Sequence, residues 1–467
     1  MGFALSVVYV FINYLTPAYL FGSLADLHIE VIIVALIVIV SLPALMNSFL
    51  LKIPQSLAMI GLTVAVFLSV LFGSRGFDGA VQAFLLFIPS GVPFFFVCLH
   101  CNTTRRFKIL VLTMLLVCLF VIARGSFDLL RGIPQNTLQP EADSGNPIPT
   151  SMTGSKYFLK QGNGEGGWVY RLQWLGEIND PNDTGQLIVC VMPLIFIFWR
   201  EKKTMTNIFF VILPVCALLF GAYLTHSRGS LLALSAIVIV AARRRIGTLP
   251  AVLLVSALIA AAFALQFTGG REISASAGED RTALWGESLQ LLKSHPLLGV
   301  GFAQLGDQMG LTAHNSVAVC AAELGLFGLF FWSLFLFPTM RNALATASPD
   351  DVHDGEPIPA DESRFPQTIM PMEEIDKAEI NRLGQLMFLS LTGYLVAGWF
   401  LSRAFIMTLF LLGGMTEAVY EMALRRGMIA PRLRHERVLS YSGLLAAALV
   451  LMLYLTVRVL HLSLIHI

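Results

Sequence analysis

Thirteen apolar runs punctuate the chain, at 4–21, 31–50, 54–73, 79–99, 107–123, 184–199, 206–225, 229–242, 246–268, 315–337, 384–402, 404–424 and 438–459. A helix of about 17–25 apolar residues crosses the hydrocarbon core, and a shorter run borrows from its flanks. Inside a bilayer each backbone N–H and C=O must find its partner within the protein, so such runs are predicted to be packed helices. The rest of the composition agrees: 56% of the 467 residues are hydrophobic and 13% charged, with mean hydropathy +0.73. A soluble domain carries about 25% charged residues. The expected fold is an all-α polytopic membrane protein of about 12–13 spans, the pairs at the N-terminus and at 384–424 being the least sharply bounded. A formal net charge of +1 leaves no basic field suited to nucleic acid.

Short basic loops orient the spans. Arg105, Arg106 and Lys108 form one cluster; Arg200, Lys202 and Lys203 a second; Arg243, Arg244 and Arg245 a third; Arg425, Arg426, Arg432 and Arg434 a fourth. If every run crosses once, all four fall on one side, which is then cytoplasmic. The expected organisation is N-terminal spans over 1–124, an outer segment 125–183, core spans 184–268, an outer loop 269–314, a span 315–337, an inner segment 338–383 and C-terminal spans 384–461. The inner segment, with "SPDDVHDGEPIPADESRFP", is acidic, Pro-containing and without apolar periodicity, and reads as a partly disordered connector with no catalytic role. The first basic residue is Lys52, so a cleavable signal peptide is not expected. The tail "LSLIHI" (462–467) matches what a sequencing adapter would encode and is set aside. All six cysteines lie in or beside apolar runs, and Cys98-Leu-His-Cys101 lacks the second pair a zinc site needs.

The polar insertion "DRTALWGESLQLLKSHPLLGVGF" (280–302) then faces outward. Leu284, Trp285, Leu289, Leu291 and Leu292 recur at helical spacing, and Pro296 ends the run. The pattern predicts a short amphipathic helix resting on the bilayer, with Arg281 in its first turn. A cation there opposes the helix dipole, which a bound anion would relieve.

Four features on the expected outer side carry chemistry. In "THSRGS" (225–230), Arg228 lies at membrane depth where basic residues are scarce, making it a functional candidate as much as a snorkelling one. Arg281 and Trp285 are the second. "AHNS" (313–316) places His314 at the entry of a span, where imidazole suits proton transfer near neutral pH, although such a residue is more often a cap. Glu323 follows inside an apolar run, where a carboxylate needs a partner, expected to be an arginine. "GEINDPNDTG" (176–185) is turn-rich and caps the next span or joins the site. Each feature alone has a bland explanation. Together they set two arginines and a histidine on one face, with no metal-binding cluster and no cofactor motif. Arginine suits phosphate because its planar fork donates two hydrogen bonds and stays charged.

In order and spacing, "SRGSLLAL" (227–234), the 280–302 segment and "HNSVAVCAAELGLFGLFFW" (314–332) resemble the O-antigen ligase and polymerase superfamily, and "DPNDTG" (180–185) resembles its Asp-Pro-Asn turn. The resemblance covers about residues 176–337. The series R-x-x-x-W, H-P-L-x-G-x-G, H-N-S and E-L-G-x-x-G is specific as a set, while each element alone is weak. It implies an inverting, metal-independent glycosyltransferase of GT-C type in the bacterial inner membrane, its site facing the periplasm. Such enzymes move a glycan from undecaprenyl diphosphate to lipid A-core, as O-antigen ligase does, or to a growing polysaccharide. Arg228 and Arg281 match the family's diphosphate-binding arginines and His314 its catalytic histidine; Arg171, Asn182, Glu323 and Trp285 are further substrate-binding candidates. The long segments before span 184–199 and after span 315–337 depart from the pattern and leave the acceptor open. A transporter of lipid-linked sugar is the rival reading. It predicts broken, charged segments in matching positions of two halves, which this chain lacks.

Overall fold

The computed structural model describes residues 1–21, 24, 29–46, 50–73, 75–132, 156–162, 168–269, 275–348, 377–429 and 432–465. Each apolar run coincides with a helix. In chain order these are α1 (Gly2–Leu15, extended by Pro17–Leu20), α2 (Ile29–Met46), α3 (Pro54–Leu71), α4 (Gly76–His100), α5 (Thr104–Leu130) and α6 (Pro181–Leu194). α7 (Leu213–Thr225) continues a short helix Thr204–Asn207 through a π-helical turn, and α8 (Arg228–Ile246) and α9 (Thr248–Ala264) follow. The polar insertion forms α10 (Ala275–Ser294), followed by α11 (Ser316–Ala347), α12 (Lys377–Gly398), α13 (Met407–Leu424) and α14 (His435–Ile465). Among the described residues, eight helices are long and apolar enough to cross a membrane unaided. The remaining spans are short, as α2 and α9 are, or carry charges. The protein is an all-α polytopic membrane protein.

α11 is the central post. It is buried along almost its whole length, with α3, α10, α12, α13 and α14 packed around it. Phe335 on α11 meets Phe94 of α4 edge-on at 5.4 Å and Phe410 of α13 at 5.2 Å, the geometry aromatic quadrupoles favour.

The helices have two distinguishable ends. At one, Lys108 pairs with Glu379 at 2.5 Å, Arg382 donates to the Trp199 carbonyl at 3.0 Å, and the His435 ring meets the Lys52 carbonyl at 3.1 Å. Helix direction brings the basic clusters at 105–108, 200–203, 243–245 and 425–434 to that end. At the opposite end α6, α8 and α11 begin.

Several local expectations need correction. The segment 125–183 is not wholly loop: α5 runs on to Leu130, and β1 (Phe158–Gly162) pairs antiparallel with β2 (Trp168–Leu172). β2 reads "WVYRL", β-branched and aromatic residues that suit a pleated ribbon. α11 continues ten residues past the expected end at 337, because Asn342, Ala343 and Thr346 are buried against its neighbours. The acidic segment's residues 349–376 lie outside the described residues. α10 starts at Ala275, so Arg281 sits in the second turn and the dipole argument for it lapses. Part of its apolar face packs on protein. Trp285 packs with Ala313, Ala318, Val319 and Ala322 and with Leu453 and Val457 of α14.

Candidate active site

Three motif segments are three helix starts at one end of the protein. The first N–H groups of a helix lack intrahelical acceptors, and short polar side chains supply them. Asp180 accepts the Asn182 N–H at 2.7 Å with Pro181 in the first helical position of α6. Ser227 accepts the Ser230 N–H at 3.3 Å ahead of Arg228, the first residue of α8. Asn315 accepts the N–H groups of Val317 and Ala318, both at 2.9 Å, at the start of α11. α6 and α8 approach closely there: a Cβ on Gly185 would lie 2.2 Å from the Ser230 hydroxyl.

Arg171, on β2, knits this end together. Its side chain is buried; Nε donates to the Thr225 carbonyl at 3.0 Å, Nη1 to Gln161 Oε1 at 2.9 Å and Nη2 to Asn182 Oδ1 at 2.7 Å. One guanidinium thus joins the hairpin, the end of α7 and the start of α6. Burial lowers its pKa to about 10, with Arg228 and Arg281 pushing the same way and Asp180 opposing them. It stays charged at neutral pH.

Arg228 is half-buried at the start of α8, and Arg281 is exposed on α10. Arg281 has its pKa lowered by loss of water around the guanidinium and then by the charge of Arg228. Two cations that raise each other's free energy form a site that an anion relieves. His314 completes the group. It is half-buried, has φ +50°, and donates its backbone N–H to Ser402 Oγ at 2.8 Å. Burial is the largest cause lowering the pKa of its imidazole; Arg281 and Arg403 lower it further and Asp180 raises it. The arrangement favours the neutral ring, the form that accepts a proton.

The remaining motifs interlock below the site. α11 is broken at Gly325 (φ 64°, ψ −165°), and the segment after α10 fills the break. Val300 donates to the Ala322 carbonyl at 2.9 Å and Gly301 to the Glu323 carbonyl at 3.0 Å; Leu326 and Phe327 donate back to Pro296 and Leu297 at 2.8 and 3.1 Å. H-P-L-x-G-x-G and E-L-G-x-x-G are therefore two sides of one backbone seam, which satisfies amides that a broken helix would otherwise leave bare. The seam ties α10, which carries Arg281, to the helix that begins beside His314.

Glu323 belongs to this seam rather than to an ion pair. The expectation of an arginine partner fails among the described residues. Its buried carboxylate accepts the Leu305 N–H at 3.3 Å and the Ala303 N–H. Trp285 is also buried, its indole N–H donated to the Ala313 carbonyl at 2.8 Å and its ring edge-on to Trp399 at 6.0 Å. It fastens α10 beside His314. Asn182, two residues beyond the Asp180 cap, holds Arg171. Among the described residues no three His, Cys, Asp or Glu side chains gather as a metal cage would.

One residue at this end escaped the sequence reading. Arg403, in the turn between α12 and α13, forms an ion pair with Asp183 in the first turn of α6, a carboxylate only 2% exposed. The signal was present as "SR" between two apolar runs separated by a single residue, a charge with no loop to hold it.

Residues 213–333 match the family model described as Wzy_C, O-antigen ligase. The matched span runs from α7 through the break in α11 and contains Arg228, Arg281, His314 and Glu323. No curated protein matches the chain.

Proposed function

We propose, supported by the match of residues 213–333 to the O-antigen ligase family model, that this protein transfers a glycan from undecaprenyl diphosphate to an acceptor hydroxyl. The preferred acceptor is lipid A-core, as for an O-antigen ligase, and a growing polysaccharide is the alternative. The observation that carries the reading is the convergence of Arg228, Arg281 and a half-buried His314 at one end of a polytopic bundle, where the charge of Arg281 acts on the histidine ring.

Arg228 and Arg281 grip the diphosphate and stabilise the charge that gathers on it as the glycosidic C–O bond breaks. The acceptor hydroxyl attacks the anomeric carbon from the opposite face, and configuration inverts. His314 takes the hydroxyl proton while the diphosphate departs with the bonding electron pair. Arg171 and Asp180 act indirectly: the first holds Asn182 and the start of α6, the second moderates the positive field.

The test uses purified protein in detergent with undecaprenyl-diphosphate glycan, offered lipid A-core or free glycan as acceptor. Glycosylated acceptor and released undecaprenyl diphosphate are expected, and the acceptor consumed separates ligase from polymerase. A donor left covalently unchanged with both acceptors sinks the reading. Movement of intact donor across proteoliposomes would replace it with a transporter.

A further inference from the structure

The turn between α12 and α13 is bound to the His314 segment by four hydrogen bonds. Ser402 Oγ accepts the His314 N–H at 2.8 Å, Asn315 Nδ2 donates to the Trp399 carbonyl at 3.0 Å, Ser316 Oγ donates to the Leu401 carbonyl at 2.7 Å, and Arg403 N–H donates to Ser316 Oγ at 3.1 Å. The turn itself is anchored from two sides. The Tyr394 hydroxyl donates to the Arg403 carbonyl at 2.6 Å, and the Arg403 guanidinium pairs with Asp183 in the first turn of α6. His314, with φ +50°, holds a left-handed conformation that L side chains rarely adopt. Such a conformation persists where its surroundings over-determine it.

We propose that Ser402 and Arg403 are positioning residues for His314: Ser402 holds the histidine backbone in its left-handed conformation, and Arg403 braces that turn against Asp183. This rests on the reading of His314 as the proton acceptor. α6, α11 and the α12–α13 turn would then share one joint, and the imidazole would be aimed from outside the segment that matches the family model. Arg403 has a second effect. Of the charged groups acting on His314, Arg281 on α10 and Arg403 lower its pKa, and Asp180 ahead of α6 raises it. Loss of the Arg403 charge should therefore favour the imidazolium.

The experiment reads placement and chemistry separately, on the full chain in detergent. The pH dependence of carbethoxylation of His314 by diethyl pyrocarbonate, followed by peptide mass spectrometry, reports the imidazole without any transfer assay. Arg403→Gln should move its midpoint to higher pH, while Ser402→Ala should leave it in place. In transfer assays both variants should lower kcat about ten- to hundred-fold with the donor KM unchanged, the loss expected of a misplaced catalytic group. Arg403→Lys, which keeps the charge, should keep the midpoint and recover part of kcat. An unmoved midpoint in Arg403→Gln overturns the proposal, as does a rise confined to donor KM, which would make Arg403 a diphosphate ligand. If Arg403→Gln does not accumulate, parental kcat in both Arg403→Lys and Ser402→Ala overturns it. A moved midpoint together with full transfer by His314→Gln refutes the reading of the site and leaves the placement of His314 standing.

Discussion

Gly299 and Gly325 face each other across the seam between the α10–α11 connection and the broken α11. A Cβ on Gly299 would lie 2.4 Å from the Glu323 carbonyl oxygen, and one on Gly325 would lie 2.4 Å from the Leu297 carbonyl oxygen. Both residues have positive φ, +68° and +64°, so side chains are refused by backbone conformation and by space together.

Gly325→Ala should therefore cost about 3 kcal/mol or more, combining backbone strain with a backbone clash. Gly310 is the internal control. It too has positive φ, +74°, but a Cβ there meets nothing within 4 Å, so Gly310→Ala should cost about 1 kcal/mol. Thermal unfolding in detergent should show a far larger loss of Tm for Gly325→Ala. Equal losses would mean that the seam is not closed in solution.

Arg228→Ala and Arg281→Ala should each nearly abolish transfer while the protein still accumulates in the membrane. A charge-assisted contact made mainly to the departing diphosphate is worth about 2–4 kcal/mol of barrier. Lysine at either position should rescue only in part, since the bidentate fork is lost. Turnover near the parental rate in both alanine variants would remove the phosphate role.

Arg171 should behave differently. Its three hydrogen bonds join elements, so Arg171→Ala should lower Tm and the yield of folded protein as well as activity. Hydrogen bonds from a charged donor contribute about 1.5–3 kcal/mol each, and a single lost partner costs less, so Asn182→Ala should be the milder variant. An Arg171→Ala protein with parental Tm and no activity would make Arg171 a direct substrate ligand.

The pH profile follows from the lowered pKa of His314. A neutral imidazole is the active form, so activity rises with pH through that pKa, and the acid limb should lie below the ordinary imidazole value of 6.5. Raising the pH beyond it adds no further neutral form. His314→Gln should lose most activity, about 10²–10⁴-fold, and the limb with it. An acid limb that persists unchanged in the glutamine variant would assign it to another group.

The basic clusters at one end of the bundle predict which end faces the cytoplasm. In intact cells an impermeant thiol reagent should label a cysteine placed at Gln308, an exposed position in the segment expected outside, and should spare one placed at Ser348. Labelling of the Ser348 variant would invert the arrangement.

The sequence by itself determined the helices and their order. Each apolar run became a helix, because in hydrocarbon a long apolar segment has no other way to satisfy its own backbone. It also determined the caps: Asp180, Ser227 and Asn315 stand where a helix must begin, a local property written within three or four residues. What it left open was who meets whom. Ser402 and Arg403 lie nearly 90 residues beyond His314, and no local pattern says that this turn will bind it. Glu323 looked like half of an ion pair because burial demands a partner, yet the partner proved to be backbone from a segment folded into the break at Gly325. Arg281 looked like a first-turn residue on a surface helix, and packing against α11 and α14 buried part of that helix's apolar face in protein. These are tertiary decisions. A span states its own hydrogen-bond requirement in its sequence, whereas the meeting of four arginines and a histidine depends on which helices pack together.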